Sequence, residues 1–160
     1  MEEEKARELV ERYGDLLTRL GYAWLGDLDD AQDVCQTVLL KLVEDPRTFP
    51  TPEQERAWVI RLGVNVCKDW RKGAWFRRRV PLEEGTALAE APESGESPVL
   101  DQVLRLPASY RQVIFLRYYE GYQVKEIAQL LGKSPVLVSA RLRRAREKLK
   151  TMLGGMTDAL

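Results

Sequence analysis

From Pro81 to Pro98 the chain reads PLEEGTALAEAPESGESP. Proline, glycine, serine and glutamate dominate this run, and it has little apolar periodicity, so it has the composition of a linker rather than of a core element. At 160 residues the chain fits either one ordinary domain or two small ones. An interruption of this kind near the middle decides for two.

Both flanks carry helical patterns and neither carries a convincing period-two strand. Between Glu4 and Trp24, Ala6, Leu9, Val10, Tyr13, Leu16, Leu17, Leu20 and Ala23 recur at spacings of three and four. Asp29 to Val43 repeats this with Ala31, Val34, Cys35, Val38 and Leu42 until Pro46 stops it, and Glu53 to Lys72 is a third candidate, apolar around most of its circumference. Three such helices can bury one another's stripes in a small bundle. Beyond the linker, Val99 to Leu106 and Ser109 to Glu120 read as two helices divided by Pro107, with Gly121 ending the second. Val124 to Leu131 follows, with Val124, Ile127, Ala128 and Leu131 on one face and Gly132 at a left-handed cap position. Ser134 and Pro135 then stand as N-cap and first helical residue of a last helix that buries Val138, Leu142, Ala145 and Leu149. The expected fold is all-α: two small helical domains, 1–79 and 99–153, joined by a flexible acidic linker, 80–98, with a helix-turn-helix in the C-terminal one.

Net charge is zero, but its distribution is uneven. Residues 1 to 79 hold 14 basic and 15 acidic side chains, residues 80 to 105 hold 1 and 6, and residues 106 to 160 hold 10 and 4. Binding to phosphate depends on local fields rather than on the total. The chain has no histidine, the commonest general base and metal ligand. It also lacks GxSxG, a Walker-type glycine loop and HExxH, so neither an enzyme nor a metal or cofactor site is expected. Cys35 and Cys67 lie too far apart for a CxxC motif and read as buried reduced thiols. The acidic start and the lack of a long apolar run predict a cytoplasmic protein without a membrane span.

Two basic clusters and one anomalous face remain. In the last helix, Val136, Leu137, Ala140, Arg143 and Arg144 project opposite the buried stripe, and Arg141 and Arg146 flank it. Arginine can contact guanine or phosphate, and apolar groups can touch thymine methyls, so this surface suits a DNA groove. The bland alternative is a solvated basic face. From Lys68 to Arg79, Trp70, Trp75 and Phe76 are set among Lys68, Arg71, Lys72 and Arg77 to Arg79, a pattern that can track phosphates while aromatic rings stack on unpaired bases. On the helix from Asp29 to Val43, Leu40 stands with Asp33, Gln36 and Thr37 on the otherwise polar side. A lone exposed leucine usually means nothing.

Together these motifs resemble a family. Asp29 to Leu42 (DDAQDVCQTVLLKL) resembles the polymerase-binding segment of region two in extracytoplasmic-function sigma factors, and Arg56 to Lys72 (RAWVIRLGVNVCKDWRK) resembles the promoter-melting segment after it. Leu106 to Gly121 (LPASYRQVIFLRYYEG), Glu126-Ile127-Ala128, Leu131-Gly132 and Arg141 to Arg146 are similar to region four. The resemblance implies a sigma factor that carries core RNA polymerase to promoter DNA, with residues 1–79 as region two and 99–153 as region four. It implies that Asp33, Gln36 and Leu40 dock on the beta-prime coiled coil and that the segment before the helix-turn-helix meets the beta flap. Asn65 would lie near a flipped base of the minus-ten element, with Lys68, Arg71, Lys72 and Trp75 along the strand. Ser139, Ala140, Arg141, Arg143, Arg144 and Arg146 would face the minus-thirty-five element, and an anti-sigma factor is a further candidate partner.

Departures from the family pattern are Cys35, Thr37 in place of a usual glutamate, Val136-Leu137 where Gly-Thr is frequent, and Ser139 and Ala140 in place of more polar residues. The last four sit where bases are read, so the family pattern does not carry a promoter sequence over. The competing reading is a stand-alone helix-turn-helix regulator whose first 79 residues serve dimerisation or sensing.

Overall fold

A computed structural model describes residues 2–72 and 102–153. Among them there are helices and turns and no strand. The chain divides into two compact units, Met1–Val80 and Pro81–Leu160. The Pro81–Pro98 run lies outside the described residues.

The first unit consists of α1 (Glu2–Leu25), α2 (Leu28–Glu44) and α3 (Pro52–Arg71). Most of the expected stripes lie in its core: Leu9, Tyr13, Leu17, Leu20 and Ala23 from α1, joined by Trp24, and Ala31, Val34, Cys35, Val38 and Leu42 from α2, packed against Val59, Ile60, Val64 and Cys67 of α3. Val10, expected in the α1 stripe, instead faces outward and is 53% exposed. Small residues set how close the helices come. A Cβ on Gly21 would stand 2.8 Å from the Ala31 Cα, so α1 and α2 meet backbone to backbone there, and Gly63 of α3 makes room for Leu17 and Leu20. Asp27 caps α2 by accepting from the Asp30 amide at 2.9 Å. At the other end of α2, Lys5 reaches across from α1 and its Nζ donates to the Val43 and Asp45 carbonyls at 3.2 and 2.8 Å, meeting the free carbonyls and negative dipole of the last turn. Thr51 caps α3, with Pro52 at its first position. α3 is covered around most of its circumference, and the side left open is an exposed stripe of Arg61, Asn65 and Lys68 at helical spacing.

The second unit holds α4 (Ala108–Ile114), α5 (Val124–Leu131) and α6 (Pro135–Met152). The single helix expected from Ser109 to Glu120 is instead α4 running into a wider π-helical segment, Phe115–Tyr119, where the Glu120 amide donates to the Phe115 carbonyl at 3.1 Å. The extra residue in that turn keeps Phe115 and Leu116 buried and turns Tyr118 and Tyr119 outward. Of the expected Val99–Leu106 helix, the described part holds the helical residues Gln102 and Val103 and then a closing turn in which the Leu106 amide donates to the Val103 carbonyl at 3.0 Å. The buried Arg111 guanidinium ties α4 back to this turn by donating to the Leu106 carbonyl at 2.6 Å.

The connection from α5 to α6 follows the sequence pattern. Gly132 takes φ 66° and lets the Lys133 amide close on the Ala128 carbonyl at 3.0 Å. Ser134 Oγ accepts from the Leu137 amide at 3.1 Å, and Pro135 starts α6. Gln123 precedes α5, and its amide donates to the Glu126 carboxylate at 2.8 Å. Ile127, Ala128 and Leu131 of α5 are buried together with Leu130, as are Val138, Leu142, Ala145 and Leu149 of α6.

Candidate nucleic-acid interface and partner surface

α6 offers the best-defined surface. With Val138, Leu142, Ala145 and Leu149 held inward, helical geometry sends Val136, Ala140 and Arg143 to the opposite side, and Ser139 and Arg144 border them. Val136 is 80% exposed, Ser139, Arg143 and Arg144 are exposed, and Leu137 and Ala140 are half-buried. Arg146, at the edge of the buried stripe, donates from Nη1 to the Tyr118 hydroxyl at 2.8 Å, so the outward-turned π segment fixes its direction.

One expectation on this helix changes. Arg141 is only 7% exposed and is engaged within the protein. It follows Val138 by three residues and precedes Ala145 by four, which draws its stem under the same cover as the stripe. Its guanidinium is therefore not offered outward as those of Arg143 and Arg144 are.

In the first unit, the exposed stripe of α3 brings Asn65 and Lys68 together with Lys72, which caps the helix. Arg61 stands one turn before Asn65 on this face. Sequence reading passed over Arg61, although its spacing of four from Asn65 and seven from Lys68 was available as a signal. Trp70 is half-buried, Arg71 closes the helix with its side chain outside the description, and Trp75, Phe76 and Arg77 to Arg79 lie outside the described residues.

On α2, Asp33, Gln36 and Leu40 share one exposed face, with Leu40 at 64% exposure. Thr37 Oγ1 donates back to the Asp33 carbonyl at 2.9 Å and so satisfies itself within the helix. This leaves an apolar side chain framed by one carboxylate and one amide, which suits a protein surface better than a phosphate backbone.

Burial pushes up the Cys35 thiol, whose Sγ donates to the Gly14 carbonyl at 3.5 Å. Burial, reinforced by the Glu55 carboxylate that accepts its hydroxyl, raises Tyr13 above the ordinary phenol range. Both shifts favour the neutral, unreactive form. Among the described residues no cluster of three or more His, Cys, Asp or Glu side chains could hold a metal ion, and no helix is long and apolar enough to cross a membrane.

Comparison with known proteins places these surfaces in context. Residues 9–77 match the model of sigma-70 region 2, and residues 97–149 match that of sigma-70 region 4. The chain is 30% identical over 155 residues to the ECF RNA polymerase sigma factor SigL of Mycobacterium tuberculosis, an alignment covering 92% of this chain and 88% of that one. Among solved structures it is similar to CnrH in complex with the cytosolic domain of CnrY, with a TM-score of 0.56 and 26% identity over 94% of this chain and 88% of that one. The fold is also that of the sigma factor RpoE of Bartonella quintana, crystallised with the anti-sigma factor NepR, with a TM-score of 0.63 and 19% identity over 92% and 96% of the two chains.

Proposed function

Since this chain belongs to the extracytoplasmic-function group of sigma-70 family RNA polymerase sigma factors, we propose that its two units divide the work of initiation by the surfaces they leave exposed. The protein directs transcription initiation as a sigma factor, binding core RNA polymerase and promoter DNA through regions two and four. As a sigma factor it is a regulator rather than an enzyme, and it works in the cytoplasm beside the polymerase.

The finer assignment rests on three faces. Asp33, Gln36 and Leu40 of α2 engage the beta-prime coiled coil, with Leu40 as the apolar anchor. Arg61, Asn65, Lys68 and Lys72, continued by Arg71 and Trp75, follow the opened minus-ten strand, where an aromatic stack on an unpaired base is worth ~1 to 3 kcal/mol. α6 enters the major groove of the minus-thirty-five element, with Ser139, Ala140, Arg143 and Arg144 toward bases and Arg146 toward phosphate. The segment ahead of α5 is the candidate contact for the beta flap. The exposed α2 face is also where an anti-sigma factor would compete with polymerase. The observation that carries this reading is the pairing of an apolar anchor on α2 with a basic face on α6, in two separate compact units.

Melting tests the division directly. A promoter carrying a fluorescent base analogue in the minus-ten element, mixed with holoenzyme, should brighten with the wild-type protein. With Trp75→Ala it should brighten much less, while initial promoter binding is nearly kept. Equal melting by the two proteins would remove the first unit's strand-opening role.

A further inference from the structure

Val136 is the most exposed large apolar side chain in the described part of the molecule, and it stands in the first turn of α6. Valine is a poor helix former and gains nothing from water, so neither propensity nor solubility accounts for it there. Its surroundings hold it still. Ser134 caps the helix at 3.1 Å, Pro135 fixes the backbone just before it, and its own β-branch restricts χ1 in a helix largely to one rotamer. Ala140 follows one turn on and Arg143 one turn after that, so two apolar groups and a cation lie in line along the outward face.

We propose that Val136, with Ala140 beside it, reads the C5-methyl group of one thymine in the minus-thirty-five duplex. This rests on the reading that α6 enters the major groove. In that groove thymine presents the only methyl group among the four bases, and it is met by small apolar side chains. A protein partner fits this face less well, because Arg143 and Arg144 flank the strip and would have to lose their solvation against it, whereas a duplex supplies phosphates within their reach. The rigid side chain has little freedom to lose on contact, so the methyl contact should be read in full. The polar or charged neighbours then set the adjoining base pairs, and Val136 sets the position nearest the start of the helix.

The experiment is a methyl scan. Holoenzyme containing the full chain is bound to a promoter that it selects from a random library, and each thymine of the upstream element is replaced in turn by deoxyuridine, which removes the methyl group alone. The wild-type protein should lose about fourfold in affinity at one position, the value of one buried methyl group. With Val136→Ala, a change at an exposed site, that single penalty should fall toward unity while any others persist. A flat scan, an upstream element without thymine on either strand, or a penalty unchanged in Val136→Ala overturns the proposal. Arg144→Ala separates the two levels. If it weakens binding while the scan stays flat, only the methyl contact is wrong. If it too has no effect, α6 does not face the duplex.

Discussion

In the first unit α1 and α2 approach so closely that a Cβ on Gly21 would stand 2.8 Å from the Ala31 backbone, whereas in the second unit Gly121 and Gly132 have nothing within 4 Å of such an atom and are needed only for their positive φ. Glycine is a spacer in one and a turn in the other. The first unit is thus built from long helices, 24, 17 and 20 residues, whose sides are fixed by contact along their length. The second uses a short helix, a π segment and an eight-residue helix to aim the 18-residue α6. A side held by packing suits a broad partner surface such as the one proposed on α2. A helix aimed by its preceding turn suits insertion into a groove, where the start of the helix must be placed accurately and its far side must stay clear.

Substitutions can break this contrast in order of expected size. Leu40→Asp should weaken core polymerase by ~30-fold or more, about 2 kcal/mol if Leu40 is a true anchor. Titration of labelled core measures it, and an unchanged affinity would make the α2 face a solvated one. Gly21→Ala should destabilise the first unit by about 1–2 kcal/mol, the strain of overpacking less the helix preference of alanine. All four tryptophans, Trp24, Trp58, Trp70 and Trp75, precede the linker, so tryptophan emission during denaturation follows the first unit alone. Gly132→Ala should cost the second unit about 1 kcal/mol, a local penalty for the positive φ with no clash against surrounding residues, and should leave the tryptophan transition where it was. Circular dichroism would show the loss. Arg146→Ala should weaken DNA binding across sequences and lower the slope of log affinity against log salt by about 1. Tyr118→Phe should move affinity the same way but less. Smallest of all, the raised thiol of Cys35 should make alkylation in the native protein slower than in the unfolded chain at pH 8, where its neutral form is favoured by burial.

Much of this was legible in the residues. The period of three and four in α1, α2 and α6 marked the buried stripes because each helix packs on one side only, and Gly132, Ser134 and Pro135 announced the turn because their backbone preferences allow little else. The π segment was not legible, since over five residues a wider turn and an α-turn leave the same apolar pattern in Phe115 and Leu116. Arg141 misled because charge predicts exposure, while a residue beside the stripe can be covered along its stem. Lys5 capping α2 from forty residues away depends on tertiary placement, which no local pattern carries. Arg61 was passed over because α3 was read as apolar around most of its circumference, though its spacing to Asn65 and Lys68 marked the face that was not.

The central claim is that one unit engages polymerase while the other reads duplex DNA, and run-off transcription from a genomic fragment library tests both at once. With core enzyme, the wild-type chain should yield products with defined starts. Leu40→Asp should erase them at every promoter, whereas Ser139→Arg should change which fragments are transcribed. No defined product with core enzyme, or sequence-specific duplex binding by the chain alone at full strength, would contradict the account and favour a stand-alone helix-turn-helix regulator.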